Sequence, residues 1–68
     1  MGLRKCVTQE AWQAAKICGY RDEHELKRAY CYGSVSNADI FIDTDKQHEI
    51  VIADKDGSYP SYKGYYLK

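Results

Sequence analysis

Apolar and polar residues alternate most clearly in the second half of the chain, where two short runs predict neighbouring β-strands over 38–43 and 48–54. Ala38, Ile40 and Ile42 fall on one side of the first run. The other side carries Asp39, Phe41 and Asp43. Because successive strand residues point to opposite faces of a sheet, we predict that the aliphatic side faces the core. A third strand is predicted over 62–67, after a polar loop.

The first half shows helical spacing instead, and it predicts a helix over 8–18. Thr8 stands at the position of an N-cap, and Gly19 stands at that of a C-terminal stop. Val7 and Trp12 have the spacing of a hydrophobic staple across the first turn.

A second helix is predicted over 23–32. Asp22 and Glu25 have capping-box spacing, and Leu26, Ala29 and Tyr30 form one apolar stripe. Together these elements predict an α+β fold in which two N-terminal helices pack on one face of a three-stranded antiparallel β-meander.

The composition is that of one small folded domain. The chain has 68 residues, of which 44% are hydrophobic and 29% are charged, values typical of folded proteins. Ten basic and ten acidic side chains cancel, so any contact with nucleic acid must use a local basic face. No apolar run has the length of a signal peptide or membrane span, so we expect no membrane partner and a cytoplasmic location, unless a larger parent chain exports the domain.

Neither a disulfide framework nor a metal site is predicted. The chain has three cysteines, Cys6, Cys18 and Cys31. They form no CxxC pair and have no histidine at zinc-ligand spacing, so Cys18 and Cys31 are expected to behave as small buried apolar residues. An EF-hand loop starting at Asp43 would need glycine and glutamate where this chain has His48 and Asp54.

Five polar side chains are candidates for a catalytic site. His24 and Lys27 lie three residues apart on the second predicted helix, where an imidazole can move a proton and an ammonium can hold an anion. Lys55, Ser58 and Lys63 follow the second strand, where donors from a tight turn could converge on a phosphate. The alternative for both groups is an ordinary solvated surface, a polar helix face in the first case and an exposed loop in the second.

The order of the motifs resembles a known family. The motifs are His24-Glu25-Leu26-Lys27, Asp39-Ile40-Phe41, Glu49-Ile50-Val51-Ile52, Lys55-Asp56-Gly57-Ser58, Pro60 and Lys63-Gly64. Over Thr8 to Leu67, this order resembles the small C-terminal toxin domains of bacterial polymorphic and contact-dependent inhibition systems. Those domains are predicted ribonucleases, thought to be related to the barnase, EndoU, colicin E5 and RelE group.

The resemblance implies metal-independent cleavage of RNA, with no cofactor, that leaves a cyclic phosphate. His24 would act as acid or base, Lys27, Lys55 and Lys63 would stabilise the charged phosphate, and Ser58 would help to orient it. The tyrosines expected to stack on unpaired bases are Tyr59, Tyr62 and Tyr65. The alternative for these rings is packing in the core and rim of the sheet.

The resemblance also implies partners and a place of action. The partners would be an RNA, including tRNA, and a cognate immunity protein. The domain would be delivered by a larger secreted parent chain and would act in the cytoplasm of a target cell.

A non-enzymatic function is the competing interpretation. A small inhibitor from a phage or mobile element could cover the nucleic-acid site of a host nuclease, or bind another protein target, with an acidic face that mimics phosphates. An antitoxin or immunity protein could use the same face. Its predicted residues are Asp39, Asp43, Asp45, Asp54 and Asp56.

Overall fold

The fold is α+β, with two helices and one four-stranded antiparallel sheet. The computed structural model describes residues 2–30 and 37–67 of the chain. The helices are α1 (Thr8–Ile17) and α2 (Glu23–Tyr30). The strands are β1 (Leu3–Lys5), β2 (Ala38–Asp43), β3 (Glu49–Asp54) and β4 (Ser61–Tyr66), and they lie side by side in that order.

The sheet has one strand more than predicted. β1 precedes both helices and pairs antiparallel with β2, so that Lys5 lies opposite Phe41. The prediction of two N-terminal helices on a three-stranded meander is therefore wrong in this detail, although β2, β3 and β4 do form a meander. β1 was missed because it has three residues and only Leu3 among them is apolar, which is too short for an alternating pattern.

The core lies between the helices and the aliphatic side of β2 and β3. Ile40 and Ile42 are fully buried there, as the alternation predicts. The cluster consists of Cys6, Ala11, Ala14, Ala15, Leu26, Ile40, Ile42, Ile50, Ile52 and Leu67. α1 contributes three buried alanines to this cluster, whose small side chains allow close packing around the helix. A smaller cluster of Phe41, Val51 and Ala53, with Leu3 beside it, lies on the other face.

The start of α1 differs from the prediction. The helix begins at Thr8, so Val7 and not Thr8 occupies the cap position. The Glu10 carboxylate accepts the Val7 backbone N–H at 3.1 Å and also holds Arg4 through two hydrogen bonds, which lower the pKa of Glu10. Val7 and Trp12 remain 60% and 48% exposed, so the predicted staple does not bury them.

The start of α2 is capped largely as predicted. The Asp22 carboxylate accepts the Glu25 backbone N–H at 3.0 Å, which lowers the pKa of Asp22. Leu26 is fully buried, whereas Ala29 is exposed, so the apolar stripe is narrower than expected. The predicted last turn of this helix, Cys31 and the Tyr30 side chain lie outside the part of the chain that the structure describes.

Candidate functional site

Two tyrosines of β4 lie on the sheet face that is turned away from the helices. Tyr62 pairs with Val51 and Tyr66 pairs with Glu49, and these β3 residues alternate with the helix-facing isoleucines. The side chains of Tyr62 and Tyr66 are 42% and 48% exposed. We call these two residues, together with Asp43, Asp45, Lys46 and Glu49 around them, the tyrosine surface.

A β-bulge places Tyr66 opposite Glu49. Between the pairs of Val51 with Tyr62 and of Glu49 with Tyr66, β4 has two more residues than β3. The extra length is taken up around Gly64, which has a φ of 77°. Its backbone N–H donates to the Glu49 carboxylate at 3.1 Å. Glycine suits this position because a side chain would be strained at a positive φ.

The Tyr62 ring is held in place by polar contacts. Its hydroxyl donates to the Asp43 carboxylate at 2.9 Å, and this bond raises the pKa of Tyr62. Asp43 is only 5% exposed, and its second carboxylate oxygen accepts the Asp45 backbone N–H at 2.9 Å. The Lys46 ammonium lies 4.8 Å from the centre of the Tyr62 ring, which is cation–π distance. The ring is therefore fixed in orientation and still accessible.

The predicted aspartates do not form one exposed acidic face. Asp43 is buried, and Asp39 pairs with the Lys5 ammonium at 3.0 Å. Asp45 lies in the turn before β3 and Asp56 in the loop after it, so these two exposed carboxylates lie at opposite ends of that strand. A continuous row of phosphate-like charges is therefore not formed by these residues.

Lys55 and Ser58 lie together in the loop between β3 and β4. An open concavity of about 260 Å³ is lined there by Asn37, Asp54, Lys55 and Asp56. The Gly57 backbone N–H donates to the Asp54 backbone carbonyl at 2.8 Å, and the Ser58 backbone N–H donates to the Asp56 carboxylate at 2.9 Å. The Ser58 hydroxyl also bonds Asp56, and these bonds lower the pKa of that carboxyl. The donors expected to hold a phosphate are thus used within the loop, beside two carboxylates.

The remaining predicted catalytic residues lie on other elements. His24 is exposed in the first turn of α2, and Lys27 follows one turn later, half-buried. Lys63 lies on the helix side of β4 near Cys18, and burial lowers its pKa. Within the part of the chain that the structure describes, no hydrogen bond joins His24 or Lys27 to the loop that holds Lys55.

The other two predicted base-stacking tyrosines do not share the face of Tyr62. Tyr59 is 81% exposed in the loop before β4, and Tyr65 is 45% exposed on the bulge. Tyr66 takes the place next to Tyr62 instead. Sequence reasoning missed Tyr66, although its even spacing from Tyr62 was a signal for the shared face.

The two described cysteines are free. Cys6 is buried at the end of β1, and burial raises the pKa of its thiol to about 12. Cys18 is half-buried, and burial also raises the pKa of its thiol. Within 2–30 and 37–67, no three His, Cys, Asp or Glu side chains are grouped so that they could hold a metal ion. Neither helix there has the length and apolar character needed to cross a bilayer.

Comparisons with protein-family models, with curated protein sequences and with solved structures find no match to this chain. The resemblance to bacterial toxin domains therefore stays a prediction from the order of short motifs.

Proposed function

We propose that the protein is a small non-enzymatic binding module that recognises a partner protein through the tyrosine surface. The fixed and accessible ring of Tyr62 carries this proposal. Tyrosines are enriched among the residues that dominate binding energy at protein interfaces. A ring already held by Asp43 and Lys46 loses little conformational freedom when a partner covers it, which favours affinity.

The shape of the β4 edge indicates that a partner binds the side chains of this strand and does not add a strand of its own to the sheet. β4 is the last strand of the sheet, so one of its edges has no neighbouring strand among the residues that the structure describes. The bulge around Gly64 and the bond from its N–H to Glu49 interrupt the regular backbone there. Bulges of this kind make an edge strand less able to pair with a strand of another chain. We therefore expect a partner to contact the rings.

Site-specific photo-crosslinking tests the proposal. A benzophenone amino acid replaces Tyr66 in one variant and Gln13, on the exposed side of α1, in the matched control. We expect a discrete adduct in the producing cell from position 66, none from position 13, and loss of the adduct when Tyr62→Ala is added. Equal adducts from both positions, or none from position 66, would contradict the proposal.

A ribonuclease is the second candidate, and Lys63 is the observation in its favour. Burial lowers the pKa of this ammonium, which brings it closer to the range in which a lysine can take part in proton transfer. RNA would then be the substrate, and an immunity protein would be the expected partner.

The ribonuclease candidate has a direct assay. Purified protein incubated with RNA in EDTA should leave cyclic phosphate ends, and Lys63→Met and His24→Ala should each abolish the cleavage. A gel that shows intact RNA after prolonged incubation would exclude this candidate.

A further inference from the structure

We infer that the partner presents a basic, arginine-bearing segment to the tyrosine surface. This inference rests on the proposed function and adds the chemistry of the partner to it. Three features support it: the distribution of charge between the two halves of the chain, the carboxylates near the rings that form no ion pair with another described residue, and the cross-strand pairing of a ring with a carboxylate.

The net charge of the chain is zero because its two halves carry net charges of opposite sign. Residues 37–68 contain six acidic side chains and four lysines, which gives −2. The acidic ones are Asp39, Asp43, Asp45, Glu49, Asp54 and Asp56. Residues 2–30 contain six basic and four acidic side chains, which gives +2. The tyrosine surface belongs to the negative half, so long-range attraction favours a basic partner.

Next to the rings, carboxylates outnumber the one cation that the tyrosine surface contains. Asp43, Asp45 and Glu49 belong to this surface, and Lys46 is the lysine among its residues. Lys63 lies on the opposite face of β4. The ion pairs among the described residues join Arg4 to Glu10, Lys5 to Asp39 and Arg21 to Glu25. Asp45 and Glu49 take part in none of these ion pairs, although one Glu49 oxygen accepts the Gly64 N–H.

The arrangement of Glu49 and Tyr66 suits a guanidinium group. The two residues are direct cross-strand partners on the exposed face, where opposed side chains are about 4.5–5.5 Å apart at Cβ. A guanidinium can stack on an aromatic ring while it donates to an adjacent carboxylate. Lys46 already makes the corresponding cation–π contact with Tyr62. A nucleic acid would meet repulsion at the same place.

An NMR titration with an amidated nona-arginine peptide tests the inference, with a nona-glutamate peptide as the opposite probe. We expect amide shifts centred on Glu49, Tyr62 and Tyr66, and weaker binding as salt is raised. Tyr66→Ala and Glu49→Gln should each raise the Kd at least about fivefold, which converts to about 1 kcal/mol, a loss that only a minority of interface residues show. Tyr59→Ala, which removes an 81% exposed tyrosine ring outside this surface, should bind like the wild type.

Glu23→Gln is the matched control, because it makes the same charge change on α2. Equal weakening by Glu23→Gln, shifts spread over the helices, no binding, or preference for nona-glutamate would each overturn the inference. If crosslinking from position 66 succeeds while nona-arginine fails, the binding module stands and only the basic partner is wrong. If crosslinking from position 66 also fails, both the basic partner and the proposed binding function are wrong.

Discussion

At the residue scale, the buried carboxylate of Asp43 holds two residues of the tyrosine surface in place. Asp43 accepts the Tyr62 hydroxyl and the Asp45 N–H, one on each oxygen. The close approach extends to Gly2, where an added Cβ would lie 2.7 Å from carboxylate oxygens of Asp43 and Asp45. Tyr62 therefore has a structural role in addition to the binding role proposed for it.

We expect Tyr62→Phe to lower the free energy of unfolding by about 1–3 kcal/mol, because the change leaves a buried carboxylate without one of its donors. Urea denaturation monitored by circular dichroism measures the loss. Tyr59→Phe is the control, since Tyr59 is 81% exposed and its loss should stay below about 0.5 kcal/mol. Equal losses in the two variants would contradict the role of Asp43.

Cys6 offers a prediction about pH. Its pKa is raised from 9.0 to about 12 in the folded protein, so the folded state favours the protonated thiol. The stability from this group is complete below pH 9 and falls as the pH rises from about 9 to 12. Cys6→Ala should reduce that alkaline loss in denaturation curves at pH 8 and pH 10.5. An unchanged slope would contradict the prediction.

At the element scale, the bulge of β4 depends on Gly64 and Glu49. Removing the acceptor with Glu49→Ala should make the Gly64 amide exchange with deuterium about tenfold faster or more, as expected for a hydrogen bond to a charged group. Glu49→Gln keeps an acceptor oxygen and is the matched control. Slow exchange in Glu49→Ala would show that another group protects this amide.

The sheet register gives a second prediction at this scale. Ile42→Ala should cost about 2–5 kcal/mol, because Ile42 is fully buried against the helices. Trp12→Ala removes a larger side chain that is 48% exposed, so it should cost less. Calorimetry or urea denaturation measures both, and a loss for Ile42→Ala below about 0.5 kcal/mol would contradict the register.

At the scale of the whole molecule, the two proposed functions differ in what the chain does alone. A binding module should leave bacterial growth unchanged when it is expressed without its partner. A ribonuclease toxin should arrest growth and lose that effect with His24→Ala or Lys27→Ala. Growth curves of induced cultures separate these outcomes, and arrest that survives both substitutions would contradict the catalytic roles drawn from the sequence.

Local patterns predicted the helices and three of the strands, because each depends on neighbours along the chain. The alternation from Ala38 to Asp43 set the buried side of β2, and Asp22 marked the start of α2. β1 was missed because its three residues become a strand only through pairing with β2. The candidate site was predicted in part, since Tyr62 and Asp43 were both named but for different roles, and their contact was not predicted.

The sequence by itself determined the periodicities, the cap of α2 at Asp22 and the excess of acidic residues after position 37, because these are properties of the chain read in order. Only the tertiary structure decided which polar groups meet. The bond from Tyr62 to Asp43 joins residues 19 positions apart, and that from Gly64 to Glu49 joins residues 15 apart. Both depend on how β4 aligns with β3, and the bulge that sets this alignment forms only once the strands are paired.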